Sequence, residues 1–366
     1  MSIENCSLNI KVKVQLPLNQ IKKLQKQLKT IPKSIIISRT DSIGDVVLTL
    51  PVATVLKKHF PEMKIGFMGK SYTQPVIEAC KSVDQFIDVN NFMNGTVTIS
   101  GEKPEAILHV LPVAAIAMQA KKLKIPLRIG TTNRIYHWLT CNKLVKLSRK
   151  NSNLHEAQLN LKLLEPFGIA RHFPLAEVGQ SFAMENIQPL SEKFAAFINK
   201  DKYNLILHPK SQGNAREWGL NNFIQLIQSL DKDQYNIFIS GTQKESQLLQ
   251  PLFNKAGNAV TNITGLMDLN QFISFINRCD GVVANSTGPL HIAAALGKDA
   301  LGIYPPMRPI HPGRWAPLGG KAQVFVLQKD CKKCKNNKNA CECILSIEPA
   351  VIKNALDKIA FKRKTT

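Results

Sequence analysis

The chain alternates between short apolar runs and longer stretches whose apolar residues recur at helical spacing. "SIIIS" at 34–38 is a run of buried-strand type, followed by a polar turn and an amphipathic segment reaching about His59. Runs of the same kind stand at 63–69, 84–90 and 106–112. After an irregular stretch at 165–200 the scheme resumes. Strands are predicted at 203–209, 235–241, 259–265, 281–286 and 300–305, with helices over 218–230, from Gln243, over 269–279 and over 288–297. Strands that alternate with helices form parallel βαβ units. Two such runs predict an α/β chain of two Rossmann-like, doubly wound domains facing each other across a cleft. Ligands in such folds bind beyond the carboxyl ends of the strands, here between the domains.

The boundaries follow from the same pattern. Residues 1–33 form a basic extension, 34–195 a first domain, 196–347 a second domain, and 348–366 a C-terminal helix that can cross back to the first. In the extension, "LNQIKKLQKQLKTI" has apolar residues at helical spacing and a lysine-rich face. Such a helix suits an anionic membrane surface or packs on its own domain.

Composition adds that two real cores are affordable: 366 residues, 44 % hydrophobic and 20 % charged. No apolar run reaches the roughly 18 residues of a membrane span. The start, "MSIENCSLNIKVKVQLPLNQ", lacks the basic-then-apolar order of a signal peptide, so a cytoplasmic protein is expected. Charge changes the picture more. Forty-eight Lys and Arg against 26 Asp and Glu give +22, which favours an anionic partner. Residues 119–150 hold nine Lys or Arg and no acid. Aromatics are 7 % and do not interleave with the basic runs, which disfavours a base-stacking nucleic-acid surface.

Three turns carry candidate chemistry. In "ISRTDSIGDVVLTLP" (37–51), Gly44 allows close approach of another group and Asp45 sits near a helix start, as a cap or as more than a cap. The turn lacks the G-x-G-x-x-G spacing of a dinucleotide site. "HPKSQGNAREWGLNNF" (208–223) sets Ser211 and Arg216 before a helix, a phosphate-binding composition. "NSTGPLHIAAALG" (285–297) places polar residues and a glycine at the start of a small-residue helix, with His291 one turn in.

Taken together, "RTDSIGDVVLTLP", "PLRIG", "HEAQLNLKLLEPFGI" (155–169), "HPKS…REW", "NSTGPLHIAAALG" and the cysteine-bearing tail resemble the ADP-heptose:lipopolysaccharide heptosyltransferase family, glycosyltransferase family 9. The resemblance covers about residues 34–355. It implies a GT-B fold with donor held by the second domain and acceptor by the first, and an inverting transfer with no essential metal and no cofactor beyond the nucleotide-sugar substrate. On it, Asp45 is the expected base and Arg216 the cation facing the leaving diphosphate, a position usually occupied by Lys. Lys210 and Ser211 match the donor-phosphate loop. Ser286, Thr287, Gly288 and His291 match a second phosphate and sugar motif. Glu245 and Gly265 match the nucleoside end. Gly44 is expected to let an acceptor sugar reach the backbone. The implied acceptor is an anionic Kdo–lipid A glycolipid, met by Arg128, Arg134 and Arg149, with the same charge holding the enzyme at the inner face of the cytoplasmic membrane.

One departure bears on the donor. The third motif usually reads Asp-[Ser/Thr]-Gly, and Ser286 replaces that Asp. A different nucleotide sugar, such as a hexose or N-acetylhexosamine donor, therefore stays open, as does a non-catalytic nucleic-acid-binding protein. Cys331, Cys334, Cys341 and Cys343 form C-x2-C-x6-C-x-C, which is not the paired C-x2-C knuckle of common zinc sites. Zinc and reduced structural thiols are both compatible with it. Cys6, Cys80, Cys141 and Cys279 read as ordinary thiols.

Overall fold

The computed structural model describes residues 31–327, except 212 and 214, and residues 341–365. The predicted helix in the N-terminal extension, together with Cys331 and Cys334, lies outside the described residues.

Two six-stranded parallel sheets account for the two halves. The first comprises β1 (Ser34–Ser38), β2 (Lys64–Gly69), β3 (Gln85–Asp88), β4 (Ala106–His109), β5 (Leu127–Thr131) and β6 (Lys143–Val145), in the order β3-β2-β1-β4-β5-β6. The second comprises β7 (Tyr203–His208), β8 (Tyr235–Ile239), β9 (Thr261–Asn262), β10 (Gly281–Asn285), β11 (Asp299–Ile303) and β12 (Ala322–Phe325), in the order β12-β11-β10-β7-β8-β9. Each sheet thus has the doubly wound order that reverses beside its first strand. β1 pairs with β2 and β4, and Ile35, Ile36 and Ile37 are wholly buried. A central parallel strand is covered on both faces, which explains its unbroken apolar run.

Nine strands lie where the apolar runs predicted them, with ends shifted by a few residues. β5, β6 and β12 were not predicted. β5 opens on Leu127-Arg128 and ends Gly130-Thr131, β6 has three residues, and every residue of β12 is half-exposed. None offers the continuous apolar signal of a buried strand.

The predicted helix after β1 is two helices, α1 (Ile43–Val47) and α2 (Leu50–His59). Pro51 has no N–H for the ladder, so the helix breaks before it. The Thr49 hydroxyl donates to the Asp45 carbonyl at 2.8 Å across the break. Other helices that matter below are α3 (Ala114–Lys122), α4 (Ile135–Thr140), α5 (Glu156–Lys162), α6 (Leu220–Ser229), α7 (Gln243–Leu248), α8 (Leu269–Arg278), α9 (Gly288–Ala295) and α10 (Pro349–Thr365).

The C-terminal helix α10 packs on the second domain against α6 and does not cross back to the first. Ile352 and Leu356 are fully buried in the second-domain core, Tyr235 donates to Asp357 at 3.1 Å, and Arg363 pairs with Asp280 at 2.9 Å. Cys341 and Cys343 are buried in this same core, just ahead of the helix. Leu356→Ala is therefore expected to cost about 2–5 kcal/mol of second-domain stability. Urea unfolding measures it, and a loss under about 1 kcal/mol would contradict the docked helix.

Candidate active site

The turn after β1 opens on Arg39, which is 3 % exposed and fans its guanidinium over three carboxylates. Nε donates to Asp41 Oδ1 at 2.7 Å, one terminal nitrogen to Asp45 Oδ1, and the other to Glu156 Oε1 at 3.2 Å. Ser42 is the N-cap of α1, and its hydroxyl donates to Asp45 Oδ2 at 2.5 Å. Asp45 is thus not the cap residue: it stands in the first turn, with its carboxylate fixed from two sides. Its side chain keeps 17 % exposure and lines the cleft. Burial, with the neighbouring Asp45 charge, pushes Asp41 up to about 6 against the pull of Arg39. Asp41 is therefore part of the charged turn, beyond a simple turn residue.

Glu156, 1 % exposed at the start of α5, ties this turn to the second domain. It accepts from Arg39, from Arg149 Nε at 2.9 Å, and from Arg314 at 3.1 and 2.8 Å. Burial would raise its carboxyl, but Arg149, Arg39 and Arg314 pull it down to about 2. Three guanidiniums and three carboxylates (Asp41, Asp45, Glu156) balance in one buried cluster. Beside it, His155 caps α5: its Nδ1 accepts from Ala157 N at 3.2 Å while Nε2 faces the Ala316 carbonyl at 3.0 Å. That arrangement assigns the proton to Nε2 and makes a second link to the other domain. Burial lowers His155 to about 4, so it is neutral near pH 7.

The domains interlock at two glycines. A Cβ at Gly44 would lie 2.9 Å from the His291 ring, and one at Gly288 would lie 2.8 Å from Ile43 Cγ2. α1 and α9 therefore meet nearly backbone to backbone. Gly44 thus admits the close approach of His291, and it lines the cleft where an acceptor sugar was expected. Burial lowers His291 to about 3, leaving a neutral ring wedged between the helices.

Across from Asp45, the cleft of about 710 Å³ is lined by second-domain residues. Ser211, Arg216, Glu245, Gly265, Ser286, Thr287, Gly288 and His291 line it together with Gly44 and Asp45. Thr287 is the N-cap of α9, its hydroxyl turned to the Asn285 carbonyl at 3.2 Å, so it leaves the first amides of the helix uncapped by that side chain. Glu245 closes a capping box on α7: Oε2 accepts from Thr242 N at 2.7 Å and from Thr242 Oγ1 at 3.0 Å. It is buried, not the exposed helix-start acid of a bare cap. Gly265 takes φ +69° against Gln243, whose Oε1 would lie 2.3 Å from any Cβ.

Four predicted residues stand elsewhere. Lys210 does not line the cleft; it binds Glu217 Oε2 at 2.5 Å. Arg128 sits near the amino end of β5, away from the cleft edge, where Nε donates to the Thr140 carbonyl at 2.7 Å and Nη1 to that of Ile125. Arg149 is committed to Glu156, the Val110 carbonyl and Asn160. Arg134 is exposed at the N-cap of α4, outside the cleft. A cation is drawn to the nearest carboxylate or carbonyl, and each of the first three has one within reach. Among the described residues no group of three His, Cys, Asp or Glu side chains could hold a metal, and two members of the four-cysteine cluster, Cys331 and Cys334, lie outside them.

The sequence reading missed Arg39, Glu156, Arg314, Tyr72 and the apolar wall Ile263, Met267, Leu269 and Phe272, which also lines the cleft. Tyr72 reaches the turn by donating to the Asp41 carbonyl at 2.6 Å. Arg39 and Glu156 lay inside quoted motifs; "SRTDSIGD" already shows one Arg between strand and two acids.

Residues 110–345 match Glycosyltransferase family 9 (heptosyltransferase). A Haemophilus influenzae protein named only as a glycosyltransferase is 26 % identical over 347 residues, covering 90 % of this chain and 96 % of its own. The lipopolysaccharide core heptosyltransferase OpsX of the same organism is 20 % identical over 305 residues, 80 % of this chain and 85 % of its own. In structure, the Escherichia coli ADP-heptose lipopolysaccharide heptosyltransferase II superposes with TM-score 0.72 at 18 % identity, covering 91 % of this chain and 99 % of that one. E. coli WaaC, solved with ADP-2-deoxy-2-fluoro heptose, gives 0.64 at 15 % identity, covering 89 % and 99 %. The two-sheet architecture is that of these GT-B enzymes, and the non-catalytic reading falls: the chain belongs to glycosyltransferase family 9, the heptosyltransferase family, and is a glycosyltransferase.

Proposed function

We propose that this enzyme transfers a heptose from ADP-heptose to the inner core of a lipopolysaccharide acceptor, with inversion and without an essential metal. One observation carries the reading: Asp45, fixed by Arg39 and Ser42, faces Arg216 and the N-terminus of α9 across one cleft. The relatives support the acceptor class, since several are named lipopolysaccharide heptosyltransferases. WaaC supports the donor class through its bound ADP-heptose analogue.

In this mechanism Asp45 accepts the proton of the acceptor hydroxyl while that oxygen bonds to the anomeric carbon. The bond from that carbon to the diphosphate breaks, and its electron pair goes to the leaving phosphate oxygen. Charge grows there, and Arg216 with the α9 amides opposes it; the helix dipole and fixed amides need no reorganisation to do so. A single displacement from the face opposite the leaving group inverts the centre. Ile263, Met267, Leu269 and Phe272 offer an apolar wall for the adenine, Glu245 and Gly265 its polar surroundings, and Ser286 a hydroxyl for the sugar and phosphate end. No nucleic acid has a part in this reading.

A second reading has its own observation. Ser286 stands where the family motif has Asp, so the donor sugar loses a carboxylate contact and a hexose or N-acetylhexosamine donor is the alternative. Competition of nucleotide sugars for the cleft, read by calorimetry, separates the two: ADP-heptose binding tightest upholds the first.

Asp45→Asn is expected to lower kcat by about 10²–10⁴ while ADP affinity is unchanged. Turnover retained within a few-fold would remove Asp45 as the base. Full turnover after exhaustive treatment with EDTA is the expected result for metal independence, and loss restored by a divalent cation overturns it. Glu156→Gln tests the charge cluster. The carboxyl of Glu156 ionises near 2 when folded against an ordinary 4.5, so its stabilisation is complete above about 4.5 and is lost as pH falls toward 2. The variant should be less stable by about 3 kcal/mol at pH 7 and show a flatter stability profile between those limits. It should also lower kcat, since Arg39 loses an anchor for Asp45 and the donor-side Arg314 loses its partner. A wild-type pH profile and kcat would contradict the coupling.

A further inference from the structure

The basic segment 119–150 lines no part of the cleft; Arg149 joins the Glu156 cluster and Arg128 holds the Thr140 and Ile125 carbonyls, and the exposed cations of the segment lie outside both. Its surface is also apolar. Ile135, Trp138 and Leu139 are 86 %, 62 % and 71 % exposed. They lie at i, i+3 and i+4 of α4 and so share one face of the helix. That face is not a frayed end. The opposite face is anchored: His137 and Thr140 are buried, Thr131 N donates to His137 Nδ1 at 2.9 Å, and Trp138 Nε1 donates to the Thr132 carbonyl at 2.9 Å. The indole is thus held by its polar edge with its apolar body outward. Met118, 56 % exposed, lies on α3, which packs against α4. Lys121 of α3 reaches over to donate to the Leu139 carbonyl at 2.9 Å, so the two helices present one surface.

Exposed cations accompany it: Lys121 and Lys122 at the end of α3, Arg134 at the N-cap of α4, and Lys143 and Lys146 in and just after the following strand β6, with no acid anywhere in 119–150. Three large apolar side chains, a tryptophan among them, accompanied by lysines and arginine match the chemistry of a bilayer interface. Apolar tips enter the boundary of the acyl chains, and the cations stay with anionic headgroups. A protein partner that fits would need an acidic rim, and a second copy of this chain would meet the same positive face with like charge.

We propose that α4 and the neighbouring end of α3 dock the enzyme on an anionic lipid bilayer, with Ile135, Trp138 and Leu139 inserted. The placement suits a lipid-linked acceptor. α4 follows the carboxyl end of β5, and β5 is two strands from β1, so its start lies about 10 Å along the same sheet edge from the turn that carries Asp45. An acceptor whose acyl chains stay in the bilayer then extends its sugars along that edge toward the carboxylate. This rests on the reading of a glycolipid acceptor, although the surface itself does not.

The test uses the full-length protein with the double variant Ile135→Ser/Leu139→Ser, both exposed positions outside the catalytic cleft. Vesicles of phosphatidylcholine with about a third phosphatidylglycerol, a composition that supplies anionic charge, are compared with pure phosphatidylcholine. The wild type is expected to bind the anionic vesicles, with Trp138 quenched by brominated acyl chains and the quench removed by Trp138→Phe. The double variant should bind at least about tenfold more weakly, yet keep wild-type turnover on a delipidated acceptor glycan. Undiminished vesicle binding by the variant, or no quench of Trp138, overturns the docking surface. A wild-type dimer that the variant disperses, with vesicle binding unaltered, also overturns it in favour of a second copy. A wild type that docks through α4 but transfers its sugar only to an acceptor without a lipid upholds the surface and defeats the glycolipid reading alone.

Discussion

Glu156 is one buried carboxylate holding three guanidiniums, and the site is organised around it. Placing a charge at 1 % exposure is unfavourable unless it is paired and hydrogen-bonded on every side. Arg39, Arg149 and Arg314 meet that demand from three separate places in the chain: the turn after β1, the loop before α5, and the second-domain turn Pro312–Trp315. Arg39 in turn is buried with its other nitrogens matched by Asp41 and Asp45, so its charge is paired on every side. The geometry of the candidate base is therefore a consequence of a neutral six-residue cluster, and the cluster requires both domains. A carboxylate fixed in this way does not need to reorient when an acceptor hydroxyl arrives, which is the physical content of preorganisation.

The second constraint is steric. Gly44 against His291 and Gly288 against Ile43 let two helix starts meet at backbone distance. Any side chain at either glycine would part the helices by pushing on a ring or a branched side chain, and so would move Asp45 away from the α9 amides that face it. A neutral His291 suits this position. Protonated, it would bring an unpartnered charge into a fully buried seam; burial holds its ionisation near 3, so the ring stays uncharged at the pH where enzymes of this kind work. The seam and the Glu156 cluster act together, one by excluded volume and one by charge, to set a single relation between Asp45 and the start of α9.

Much of this was legible in the chain, and the exceptions share a cause. Buried central strands such as β1 and β10 announce themselves because both faces are covered, so their apolar runs are unbroken. Edge strands such as β12, half-exposed along its length, have no such run. The β1 turn, Arg216 and the α9 start were readable as local motifs, since a helix start and a glycine turn are local events. Glu156 and Arg314 were not readable as a pair, because 158 residues separate them and nothing in either neighbourhood reports the other. The same limit misassigned Lys210, Arg128 and Arg149. A sequence shows that a cation is present; only the fold shows that Glu217, the carbonyls beside β5, or Glu156 reach it first. Asp41 was passed over for the opposite reason, since its importance lies in the charge it shares with Asp45 through Arg39.

Net charge can now be divided by place. The interior cluster is balanced, three against three, and contributes nothing to the +22. Arg216 alone of the predicted cations lines the cleft from the donor side, joined there by Arg314, whose charge is already matched by Glu156. On the proposed reading, a diphosphate meets few cations among the described residues that line the cleft, and the helix amides carry a share of its stabilisation. Part of the surplus sits instead on the outside of the first domain, in the stretch 119–150, which has eight basic residues besides the Arg149 of the interior cluster, no acid, and three large apolar side chains held outward. Such a surface has a cost in solubility and in self-repulsion that catalysis in the cleft does not require. Its position on the first sheet, at the edge that also carries Asp45, ties that cost, on the proposed reading, to where the acceptor lies rather than to what is transferred.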